Sequence, residues 1–119
     1  MWSALWLAAA NRRWPPEIDV LERWGTRTGL YFHPVGPPLY QHAIPAAGNL
    51  SAGWHTFSLS WTRSRLVWFI DGHQDLSIHQ RVPHQLMYFI ANLAESRSPG
   101  STWRCAGTLL IRSVKVWQF

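Results

Sequence analysis

Glu17, Asp19 and Glu22 place three of the six acidic residues of a 119-residue chain within six positions, in a sequence that is otherwise basic. Residues two apart on an extended strand share a face, so Glu17 and Asp19 project together while Ile18 and Val20 turn the other way. Glu22 has the opposite parity. One extra residue accommodated near Val20 or Leu21 as a β-bulge restores it to the acidic face. The two glutamates then stand about four strand steps apart, roughly 13 Å between backbones, and side chains leaning together close most of that gap. A carboxyl separation of about 5–5.5 Å suits double displacement at a glycosidic bond, one carboxylate attacking the sugar while the other delivers and then removes a proton. The rival reading of the same three residues is a solvated acidic patch.

Aromatic residues bracket the acidic run. Trp14 precedes the Pro15-Pro16 pair and Trp24 follows Glu22 by two; both are expected to present a flat apolar ring to the C–H face of a sugar. For most of the nine tryptophans the expected role is core packing.

The elements that must carry these residues follow from pattern. Residues 2–7 read as a strand, and 11–16 as the loop that feeds the acidic strand. Glycine and proline punctuate 23–49, interrupted by one strand near 29–33, and 34–53 reads as a long rim loop. Residues 54–61 alternate, with His55, Phe57, Leu59 and Trp61 on one face and Thr56, Ser58 and Ser60 on the other. His55 is expected to be a buried, satisfied histidine. The continuous apolar run 66–70 predicts a strand covered on both faces, and Asp71-Gly72 is a hairpin turn. Residues 83–94 predict a further buried strand, and 109–117 a last one.

These residues together resemble glycoside hydrolase family 16. Glu17-Ile18-Asp19-Val20-Leu21-Glu22 is similar to its E-x-D-x-x-E active-site strand in the bulged, laminarinase-like form. Trp2-Ser3-Ala4-Leu5-Trp6-Leu7 resembles W-P-A-F-W-L, and Gly53 to Trp61 resembles F-H-x-Y-x-x-x-W. Val67-Trp68-Phe69-Ile70-Asp71-Gly72 is similar to W-Y-V-D-G, Met87 to Ala94 to Y-L-I-L-N-L-A, and Val114 to Gln118 to V-R-V-Y-Q. Order and spacing agree over essentially the whole chain.

The resemblance implies an all-β, concanavalin-like jelly-roll sandwich of two antiparallel sheets, with residues 1–119 forming one catalytic domain. The family's domain is much longer than this chain, and the match begins just before the active-site strand, so the domain is expected to be its C-terminal part, without the N-terminal strands. The implied activity is endo-acting, retaining hydrolysis of a β-linked polysaccharide, β-1,3- or β-1,3-1,4-glucan, with Glu17 as nucleophile, Glu22 as acid/base and Asp19 between them. Asp19 is expected to help keep Glu22 protonated. His33 resembles a histidine of the family's cleft-side strand, and Asn92 matches a position able to hydrogen-bond a sugar hydroxyl. Alternatives are a non-catalytic carbohydrate-binding jelly roll and an inactive fragment of a longer hydrolase. Residues 95–100 depart from the family's glycine-rich V-G-G-x-W stretch. Arg112 stands where many members carry a calcium-site aspartate, and a guanidinium cannot ligate calcium, so no metal or cofactor is expected.

Composition bounds the rest. The chain is 47% hydrophobic with eight glycines and eight prolines, as β-rich globular domains are. Cys105 is the one cysteine, which excludes an internal disulfide and argues against a structural zinc site. The net charge of +5 comes from residues scattered singly, apart from Arg12-Arg13, so no nucleic-acid partner is expected. No run of about 18 apolar residues predicts a membrane span. Residues 1–10 read as a strand rather than a signal peptide, since no basic segment leads them. The resemblance implies an extracellular or wall-associated monomer acting on polysaccharide.

Overall fold

A computed structural model describes residues 1–25, 27–43, 50, 52–95 and 107–118. The described residues form eight strands and no helix: β1 (Trp2–Ala9), β2 (Glu17–Trp24), β3 (Arg27–His33), β4 (Tyr40–Ala43), β5 (Phe57–Trp61), β6 (Leu66–Ile70), β7 (His73–Ile78) and β8 (Met87–Ala94). They pair antiparallel into a five-stranded sheet of order β4-β3-β2-β1-β8 and a three-stranded sheet of order β5-β6-β7.

The layers meet where alternation puts apolar side chains inward. Ile18 from β2, Leu30 and Phe32 from β3, Leu66 and Trp68 from β6 and Ile78 from β7 form the buried core, flanked by Leu7, Leu59 and Trp61. Trp68 reaches across the layer gap, and its indole N–H donates to the Asp19 backbone carbonyl at 2.8 Å. That bond satisfies a polar group which burial would otherwise leave at a cost of about 1–3 kcal/mol.

The bulge expected in the acidic strand is present. β1 pairs Leu5 with Leu21 and Trp6 with Asp19, while β3 pairs Tyr31 with Asp19 and Gly29 with Glu22. Val20 and Leu21 together oppose the single residue Leu30 on the β3 side, so an extra residue is absorbed there. Both side chains are buried, at 9% and 8% exposure. The hairpin at Asp71-Gly72 also forms, with φ of 50° and 82° at its two loop residues, the left-handed pair that a tight two-residue β-turn demands.

Five expectations are corrected. The strand predicted over 54–61 starts at Phe57, because Asp71 claims the preceding residues: its carboxylate accepts from Thr56 N and contacts His55 Nδ1, each at 2.8 Å. His55 is thereby satisfied but half-buried rather than buried. β8 is a sheet edge, and Tyr88, Phe89 and Leu93 are 46%, 38% and 41% exposed, so it is not the buried strand its composition predicts. Residues 107–118 carry no strand; alternation alone makes no ladder until a partner strand is engaged, and Val114, Val116 and Trp117 lie largely exposed. β4, by contrast, forms within a stretch read as loop. The expected departure over 96–100 lies outside the described residues.

Candidate active site

The acidic side chains stand on the face of the five-stranded sheet turned away from the core. Register defines that face: Ala8, Glu17 and His33 lie side by side, as do Trp6, Asp19 and Tyr31, and then Ala4, Glu22 and Gly29. β8 adds Asn92 beside Ala4. Six of the seven sequence-predicted site residues, Trp14, Glu17, Asp19, Glu22, His33 and Asn92, therefore gather on or over one surface. Trp24 sits at its far end, its ring tilted against Trp2 with centroids 5.2 Å apart.

Each carboxylate has a distinct environment. Glu17 accepts a hydrogen bond at 3.1 Å from the Trp14 indole, and its other oxygen lies 3.5 Å from His33 Nε2. Asp19 is 4% exposed. His33 Nε2 stands 3.7 Å from it, and among the described residues no donor hydrogen-bonds its carboxylate. Burial first, then the negative charges of Glu17 and Glu22, push its pKa up to about 8. Burial also raises Glu22, with Glu17 adding to the rise. The Trp2 indole N–H, which makes no hydrogen bond of proper geometry, is close enough to draw Glu22 part of the way back. The sequence reading expected Asp19 to keep Glu22 protonated. Burial and Glu17 raise Glu22, and the repulsion between Asp19 and Glu22 raises Asp19.

The surrounding rings hold these groups in place. Trp14 is 66% exposed and tilted against His33, centroids 5.6 Å apart. The Trp6 indole donates to Asn92 Oδ1 at 2.7 Å, which aims the amide and leaves its NH₂ as a donor over the face. Tyr31 leans over Gly29, where an added Cβ would come within 2.6 Å of the phenol oxygen. Burial raises the Tyr31 hydroxyl pKa, with Glu22 and Asp19 contributing. Trp2, Trp6 and Tyr31 are site residues that sequence reasoning missed. Their parity was visible, but which residues they sit opposite depends on strand register.

A second concavity, about 680 Å³, opens between the layers on the other side of the same sheet. Leu5, Leu21 and Arg23 line it from the sheet, and Trp54 to Phe57 and 108–113 line it from the facing side. No carboxylate of the acidic strand lines it, so the three acidic side chains meet on the outer face.

Comparison with known proteins gives the same neighbourhood. The family described as "Glycosyl hydrolases family 16" matches residues 1–109. The chain is 31% identical over 104 residues to endo-1,3-1,4-beta-glycanase ExsH of Rhizobium meliloti, covering 79% of this chain and 21% of that protein. It is 32% identical over 101 residues to endo-1,3-1,4-beta-glycanase EglC of the same organism, covering 78% and 21%. The chain thus spans about a fifth of the length of these curated relatives. Among solved structures, the Bacillus licheniformis beta-glucanase superposes with a TM-score of 0.63 at 18% identity, over 76% of this chain and 44% of that one. That likeness establishes the jelly-roll fold.

Proposed function

The chain belongs to family 16 of the glycosyl hydrolases, and from that premise we propose that its outer sheet face hydrolyses internal bonds of a β-linked glucan with retention of configuration. The observation that carries this reading is the bulge at Val20-Leu21, which brings Glu22 onto the face that Glu17 and Asp19 already share. The two named relatives from Rhizobium meliloti, both endo-1,3-1,4-beta-glycanases, support β-1,3- or mixed-linked glucan as the substrate class.

In this mechanism Glu17 attacks the anomeric carbon while Glu22 protonates the departing oxygen; water, deprotonated by Glu22, then releases the glycosyl-enzyme intermediate. A general acid must still hold its proton near neutral pH, and the raised pKa of Glu22 serves that need. Trp14 occupies one oxygen of Glu17 and leaves the other to attack. Asp19, protonated below about pH 8, removes one charge from a face that would otherwise carry three. Trp14 and Trp24 offer platforms at opposite ends of the strand, Asn92 offers a donor, and His33 flanks the nucleophile. We infer also that residues 1–119 act as one unit of an extracellular protein whose partner is the polysaccharide.

The test is release of reducing sugar from mixed-linkage β-glucan and laminarin. Glu17→Gln abolishes turnover and leaves binding, Glu22→Gln lowers kcat by about 10²–10⁴-fold, and the first-formed product carries the β-anomer by NMR. Undiminished activity of Glu17→Gln removes that residue from the mechanism. Binding without hydrolysis by the unaltered chain identifies a carbohydrate-binding jelly roll instead.

A further inference from the structure

We propose that Glu17, Asp19 and His33 form a binding site for a zinc-like transition-metal ion, which would occupy the acidic face in competition with a sugar. The observation is geometric. One ligand atom from each of the three residues lies within 4.8 Å of the others. His33 Nε2 stands 3.5 Å from a Glu17 oxygen and 3.7 Å from an Asp19 oxygen. Zinc bound tetrahedrally at about 2.0–2.1 Å from nitrogen and oxygen separates its ligands by about 3.3–3.4 Å. The two contacts to His33 are within a few tenths of an ångström of that edge. Closing the third side takes a small side-chain rotation of Glu17, which is tethered by the Trp14 hydrogen bond alone on its other oxygen.

A second, independent observation points to a cation. The Asp19 side chain is 5% exposed, faces the His33 nitrogen, and takes no hydrogen bond from the described residues. A buried carboxylate whose nearest partner is one imidazole at 3.7 Å, beyond hydrogen-bond reach, has fewer donors than normally accompany one. Glu17 and His33, at 20% and 26% side-chain exposure, leave a way in from solvent and an open fourth position for water. The donor set selects the metal: one imidazole and two carboxylates suit zinc and its neighbours, whereas calcium asks for six to eight oxygens. The ion is a ligand of the face and takes no part in the proposed hydrolysis.

Titrating the full chain with zinc chloride in a calorimeter tests this without reference to activity. One equivalent binds, and His33→Ala and the isosteric Glu17→Gln each weaken it by about tenfold or more, as loss of one of three ligands requires. His42→Ala leaves it unchanged, although His42 Nε2 lies 3.3 Å from Asp75, a two-residue contact without hydrogen-bond geometry. Near-ultraviolet circular dichroism verifies that each variant is folded, and if one is not, the other decides. No binding up to millimolar zinc, or undiminished binding in a folded variant of either ligand, overturns the proposal. Because heat of binding is the readout, a chain that hydrolyses nothing still gives a clear result.

Discussion

A carboxyl group in a dry setting resists ionisation, and at Asp19 that resistance links the site to stability. Its folded-state pKa of about 8 lies above its ordinary value of 3.8. The folded chain therefore favours the protonated form, so this residue's contribution is fully present below about pH 4 and is lost as pH rises toward 8. Asp19→Asn removes the dependence, and at pH 9 the variant melts at a higher temperature than the parent, measured by thermal denaturation. A melt that stays flat for the parent between pH 5 and 9 contradicts the assignment. Trp14 separates two duties within one side chain. Trp14→Phe keeps a ring against His33 but loses the N–H donated to Glu17, so kcat falls severalfold on β-glucan while KM holds. Trp14→Ala raises KM as well. The acidic triplet and the exposed Trp14 ring beside it were legible in the sequence because residue type and spacing suffice. The hydrogen bonds were not, since Trp14 to Glu17 and Trp6 to Asn92 depend on rotamer and register.

Strand β2 works through its irregularity. Deleting Val20 restores a regular ladder and turns either Glu22 or the Glu17–Asp19 pair to the core side, because a one-residue slip reverses every side chain beyond it. The deletion abolishes hydrolysis of mixed-linkage glucan, and the far-ultraviolet spectrum retains its β character. The bulge could be anticipated because Glu22 breaks the parity set by Glu17 and Asp19, just as Asp71-Gly72 announced its turn by composition. β4 was hidden by the prolines at 37 and 38 and by the polar Gln41 and His42. The segment 109–117 shows the converse: its alternation satisfies every local rule for a strand, yet pairing is a property of two segments. Gly29 acts on a neighbour. In Gly29→Ala the Tyr31 ring has to lift from its seat beside Glu22, lowering kcat/KM on β-glucan with little change in melting temperature, since the phenol can rotate into solvent.

For the whole molecule, the two layers communicate with the acidic face through Trp68, the largest fully buried side chain among the described residues. Trp68→Ala costs about 3–5 kcal/mol in urea denaturation, the range for emptying a large aromatic site. Trp68→Phe retains most of the packing and strands the Asp19 carbonyl, costing about 1–3 kcal/mol. A Trp68→Phe variant as stable as the parent would show that the hydrogen bond to Asp19 contributes nothing. The jelly-roll class was readable because motifs resembling those of family 16 follow in the same order, whereas the pairing of these layers at Asp19 involves residues 49 apart in sequence. The same bond also makes the molecule its own gauge. Its proton is shielded from solvent and exchanges with deuterium only when the layers part, whereas the indole protons of Trp14 and Trp117 belong to exposed rings. In a nitrogen-labelled sample, the slowest-decaying indole resonance reports how often the floor beneath the acidic strand opens, with no substrate added.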